Sequence, residues 1–257
     1  MPEAITGAVW AFCWGLVASS GVLGGTILGL IARLPHRAIS AVMSFGAGVL
    51  LSAASISIKM ASNALIVAGV VFTAGGIIVG AAMFSIANAA LTTAKDRKRC
   101  GECKPQLSEA EAPGSGKSIA LGTALDAVPE ALVLAVTLRV SGPDVALVVG
   151  ALALSNVSEA LSATAGMRLA SRSSTYVLSL WGGIAVGTAA MTALSFYLLS
   201  DLGPDLTAIL EAFGAGALIA MAAETMVPEA FHNGPRYSGV LAASGFAALI
   251  LLNEVAK

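Results

Sequence analysis

Eight runs of mostly apolar residues, each about twenty or more long, dominate this chain. A helix of about that length is what crosses the hydrocarbon of a bilayer. The runs cover roughly 5–32, 38–58, 65–93, 118–139, 144–168, 176–200, 206–231 and 237–254. Composition forbids hiding them in a water-soluble core. Of 257 residues, 57% are apolar and only 11% charged, where soluble chains carry about 25% charge. Fourteen basic and fifteen acidic side chains cannot cover the surface of a soluble domain this large. Three cysteines exclude a disulfide scaffold, and a net charge of −1 without a basic face excludes nucleic-acid binding. The chain reads as an all-α integral membrane protein, and its first partner is the lipid bilayer.

The first run is too long for a signal peptide's apolar region, and Met-Pro-Glu-Ala supplies no basic segment before it. It is expected to remain as span one. Basic residues then set the orientation. Eleven of them (Arg33, Arg37, Lys95, Arg97, Lys98, Arg99, Lys104, Lys117, Arg168, Arg172 and Arg236) fall on one side of an eight-span threading. Only Lys59, Arg139 and Lys257 fall on the other. Basic residues favour the cytoplasmic side, so both termini are expected outside, extracellular or periplasmic, on a multi-pass protein of the cell membrane. One connection is long. It divides the chain into spans one to three (1–93), a flexible cytoplasmic loop (94–117) and spans four to eight (118–257), within one membrane domain.

Phe45-Gly-Ala-Gly-Val-Leu-Leu in span two recurs as Phe213-Gly-Ala-Gly-Ala-Leu-Ile in span seven. Ala54 and Ser57 then align with Ala222 and Thr225. The copies lie five spans apart in order, an odd offset, so they run in opposite directions, as inverted-topology repeats do. Small residues also recur in membrane helices merely to allow close packing, but that explains the phenylalanines poorly. A second echo aligns Asp126-Ala-Val-Pro-Glu-Ala-Leu132 in span four with Ser155-Asn-Val-Ser-Glu-Ala-Leu161 in span five. The expected layout is three helices, a central pair and three helices, with inverted-repeat pseudo-symmetry.

Ionisable groups inside membrane helices are the most informative residues. Asp126 and Glu130, at i and i+4, share one face of span four, and Asn156 and Glu159, at i and i+3, share one face of span five. Pro129 has no amide hydrogen for the carbonyl of Leu125, which is left available nearby. Each buried charge of this kind costs about 2.5–3.5 kcal/mol, so three approach about 10 kcal/mol. Neutralisation must come from protons, a basic partner or a cation, and no Lys or Arg lies mid-span. Protonated acids acting as interhelical glue would satisfy one such position; two matching sets favour a cation site. Span seven adds Glu224, Pro228 and His232 at intervals of four, with Glu229 nearer the cytoplasmic end. Glu211, near the outer end of that span, reads as structural or as a solvated entrance charge.

These residues resemble those of the ZIP (Zrt-, Irt-like protein) family of divalent metal transporters. The likeness spans the whole chain: eight spans, both termini outside, a long loop after span three and metal motifs on spans four and five. Members carry His-Asn-x-Pro-Glu-Gly on span four and His-x-x-Pro-Glu-Gly on span five. This chain reads Asp126-Ala127-Val128-Pro129-Glu130-Ala131 and Ser155-Asn156-Val157-Ser158-Glu159-Ala160. Ala223-Glu-Thr-Met-Val-Pro-Glu229 is similar to the acidic stretch of the family's seventh span. The resemblance implies a metal site from Asp126, Glu130, Asn156 and Glu159, inward transport by alternating access, and a homodimer. Glu224 joins the candidate ligands, with Glu229, His232 and Ser155 as accessories.

The departures are chemical. Both motif histidines are replaced, by Asp126 and Ser155, and the span-five proline is Ser158. Ala127 stands where the family has Asn, and span six carries no acid around Gly183 to Gly187. One metal is therefore expected rather than two. An oxygen-rich site suits manganese or ferrous iron as well as zinc, which the family places first. The metal is cargo, and no prosthetic group or enzymatic activity is expected.

Cys100-x-x-Cys103 in the loop is half of a zinc or thiol site, or a pair of spare thiols. It sustains one rival reading, a membrane thiol–disulfide oxidoreductase. A second rival is a metal sensor that binds without transporting. An intramembrane metalloprotease lacks its His-Glu-x-x-His helix.

Overall fold

A computed structural model describes residues 2–64, 69–91, 115–140, 144–231 and 234–255, with side chains at 5–63, 69–90, 121–140, 145–231 and 234–255. Every regular element among the described residues is helical. In order these are α1 (Pro2–Ile31), α2 (His36–Ala64), α3 (Gly69–Leu91), α4 (Ser115–Val140), α5 (Asp144–Leu169), α6 (Ser174–Leu198), α7 (Pro204–Met221), α8 (Val227–Phe231) and α9 (Ser238–Val255). A π-helical turn, Ala222–Met226, joins α7 to α8, so that Pro204–Phe231 is one span. Eight segments are long and apolar enough to cross a membrane. The molecule is an all-α membrane protein of multi-pass form.

Local chemistry explains the helix ends and one correction. Ser173 caps α6 by accepting from the Tyr176 amide at 3.2 Å, and Pro204 opens α7 at its first turn, where no amide donor is required. Lys59, expected at the end of span two, lies within α2, which runs on to Ala64. Its side chain is exposed, so the helix continues past it without burying the charge. The π turn has an evident cause. Pro228 cannot donate to the carbonyl four residues back, and its ring crowds that turn; the Val227 amide bonds to the Ala222 carbonyl instead, widening the helix.

The helices form two bundles. One gathers α1, α4, α5 and α6, through α1 against α5, α1 against α6 and α4 against α6. The other gathers α2, α3, α7 and α9, through α3 against α7, α2 against α9 and α2 against α7. The bundles meet where α2 packs on α5 and α4 packs on α7. Exchanging span one with six, two with seven, three with eight and four with five maps this contact pattern onto itself. That mapping is the pseudo-symmetry of an internal repeat.

The Phe-Gly-Ala-Gly motifs show its physical purpose. A Cβ on Gly48 would strike the carbonyl of Ala242 on α9, and one on Gly245 would strike the carbonyl of Phe45. In the other half, Gly216 meets the carbonyl of Ile77 on α3, and Gly80 meets that of Phe213. Each motif thus locks against a helix that carries its own contact points three residues apart. Backbones this close require glycine, which is how membrane helices maximise dispersion contact without a hydrophobic drive between them. On the neighbouring face Gly46 abuts Ser158 of α5, and Gly214 abuts Val133 of α4. The repeat therefore also sets the seam between the bundles.

Candidate functional site

Helices α4 and α5 bring their polar faces to one cavity. Asp126 and Glu130 of α4, with Asn156 and Glu159 of α5, line it and are all buried. The Asn156 amide donates to Glu130 Oε2 at 3.1 Å and to the Ala18 carbonyl of α1 at 3.4 Å. Glu159 and Asp126 line the same space as Glu130, and Glu130 Oε1 accepts no hydrogen bond from any described residue. The enclosed volume is about 10 Å³, room for a single water or a bare ion. No lysine, arginine or histidine is among the residues that line it.

The opposite wall comes from α6, where Trp181, Ile184 and Thr188 recur at helical spacing. Trp181 is 1% exposed, and its indole nitrogen donates to no described residue. The sequence singled out no chemistry for this tryptophan, because an apolar wall carries no donor motif. The signal present was the i, i+3, i+7 stripe itself, on the one span where an acid had been sought.

Other candidate residues lie elsewhere. Glu224, on the π turn, is exposed and accepts from Ser85 and from Asn88 Nδ2 (2.8 Å), both on α3. It does not line the cavity. Glu229 accepts from Ser162 of α5 at 2.5 Å, three residues beyond Glu159, and so links the two bundles. Ser155 is buried with its hydroxyl 3.8 Å from Met226 Sδ, across the seam rather than in the cavity. His232, Cys100 and Cys103 lie outside the described residues. Glu211 is not a solvated entrance charge: it is 1% exposed, held between α2, α4 and α7.

Electrostatics decides what the α4–α5 arrangement can do. Three carboxyl groups in a water-sized space cannot all remain charged without compensation. Protons or a desolvated cation provide it, and the available donors are hard oxygens from carboxylates, an amide and threonine hydroxyls. Among the described residues no three His, Cys, Asp or Glu side chains form a tight ligand cluster. The acids bound a space without closing on one point. These features define a multi-pass membrane protein with an acid-lined intramembrane cavity. No family model matches the chain, and no curated protein does.

Proposed function

We propose that this protein carries divalent transition-metal cations across the cell membrane into the cytoplasm. Zinc is the first candidate, with manganese and ferrous iron as alternatives. The observation that carries the reading is the small cavity bounded by Asp126, Glu130, Asn156 and Glu159, with no cationic side chain among its lining residues. A dication removes most of the charge cost that three acids impose on a membrane helix pair. The resemblance to ZIP transporters supports the same assignment, and with it a homodimer whose termini lie on the outer side.

The division into two bundles supports alternating access. The cavity lies within the α1–α4–α5–α6 bundle, and the other bundle packs on the two acid-bearing helices, α2 on α5 and α7 on α4. Sliding of one bundle on the other would expose the acids to each side in turn. Asn156 holds Glu130 in place while the cavity is closed. Asp126, Glu130 and Glu159 replace the water that the ion sheds, and proton uptake by the acids follows its release.

The test is uptake into proteoliposomes of zinc, manganese and, without oxygen, ferrous iron. Wild type is compared with Glu130→Ala and Glu159→Ala. Saturable uptake lost in both variants is the expected result. Undiminished uptake in either removes that residue from the site. Binding without accumulation by wild type would make the protein a sensor instead.

A further inference from the structure

A further buried carboxylate lies outside the α4–α5 cavity. Glu211 sits two turns into α7 and is 1% exposed, and Thr137 of α4 donates to its Oε1 at 3.3 Å. The Ser57 hydroxyl of α2 faces the same carboxylate without closing a hydrogen bond to it. Glu211 Oε2 accepts from no described residue. All three side chains are buried, yet Glu211 borders a cavity of about 330 Å³ between α2, α4 and α7. Arg139 also lines that cavity. Its guanidinium is committed to the Ser200 carbonyl, at 3.1 Å, and to the face of Phe196, at 5.1 Å.

We propose that Glu211, Thr137 and Ser57 form a binding site for one monovalent cation, sodium, reached through the α2–α4–α7 cavity and separate from the α4–α5 acids. The donor set is one carboxylate and two hydroxyls, hard oxygens suited to an alkali cation. Charge selects the valence. A single positive charge neutralises Glu211, whereas a dication would leave net positive charge in apolar surroundings. Arg139 reinforces the choice, since it repels a double charge twice as strongly as a single one. Of the three residues Glu211 lines the cavity, which is large enough for a partly hydrated ion to approach it. Exposed Asp201 and Asp205 stand at the same end of the bundle, where they draw cations toward the opening. Thr137 follows Glu130 by seven residues, about 10 Å along α4, so the two sites share a helix without sharing a ligand.

The experiment measures radioactive sodium binding to the full chain in lipid nanodiscs, with divalent metals removed by chelation. Wild type is expected to bind sodium saturably, one ion per chain, with no competition from choline. Glu211→Gln is expected to weaken binding on the order of a hundredfold. Absence of saturable binding to wild type overturns the proposal and leaves Glu211 as a proton site; equal binding by Glu211→Gln overturns it as well. Should Glu211→Gln fail to yield monodisperse protein, Thr137→Val decides. It is expected to bind about tenfold more weakly, while Thr137→Ser keeps the affinity, and three equal affinities refute the site. No divalent metal enters the assay, so its outcome is independent of the metal-uptake test.

Discussion

Asn156 is the hinge of the chemistry at the scale of single residues. Its amide spans Glu130 and the Ala18 carbonyl, holding an acid of α4 against the backbone of α1. Asn156→Asp replaces that donor with a fourth acid, so the metal-free protein should lose about 1–3 kcal/mol. Added zinc should restore more stability to the variant than to wild type. Thermal unfolding in detergent with and without zinc reads both effects; equal shifts would contradict the site. Proton competition provides another check. A cation and protons contend for the same carboxylates, so zinc affinity should fall as pH is lowered, and titrations in weak buffer should register proton release on binding. The acids were legible in the sequence because a carboxylate within an apolar run is an anomaly. Glu211 stayed open in the sequence between a structural acid and a solvated entrance charge because it lies near a span end, where a charge usually reaches water; its burial follows from how α2 and α4 pack against α7. Trp181 was passed over because walls are made by residues with no chemistry of their own.

Among elements, glycine contacts separate fixed positions from free ones. Gly48 and Gly216 face carbonyls of α9 and α3 too closely to admit a methyl group. Gly48→Ala or Gly216→Ala should therefore push the helices apart and cost about 1–3 kcal/mol. Gly182 on α6 has open space where its Cβ would be, and Gly182→Ala should be neutral or stabilise by up to about 1 kcal/mol. Melting temperatures of the three variants test the contrast, and a harmless Gly48→Ala would discount the interlock. Spans and repeat were visible in the sequence because both are patterns along one dimension. The sorting of helices into two bundles was not, because it depends on which faces meet between helices far apart in sequence, such as α1 with α5, α3 with α7 and α2 with α9. The π turn escaped for a local reason: Pro228 marks a disturbed turn, but a kink and a widened turn share that signature.

For the whole molecule, the seam between bundles is where motion must occur if the protein alternates its access. Val136 of α4 and Ala208 of α7 face the same cavity from opposite bundles. Cysteines at both positions, in a background with Cys13, Cys100 and Cys103 changed to serine, can be bridged by a cleavable bifunctional thiol reagent. Bridging should arrest metal uptake, and reduction should restore it; uptake that persists through the bridge would mean that the bundles do not move there. The interlocked motifs carry a further consequence, for biogenesis. The backbone contact of Gly48 in span two is with span eight, and that of Gly80 in span three is with span seven. A ribosome that has delivered six spans has therefore inserted a chain whose narrowest grooves, at Gly48 and Gly80, still face lipid. Neither repeat can mature alone, and it is span eight, arriving six spans after the second, that seals the first half.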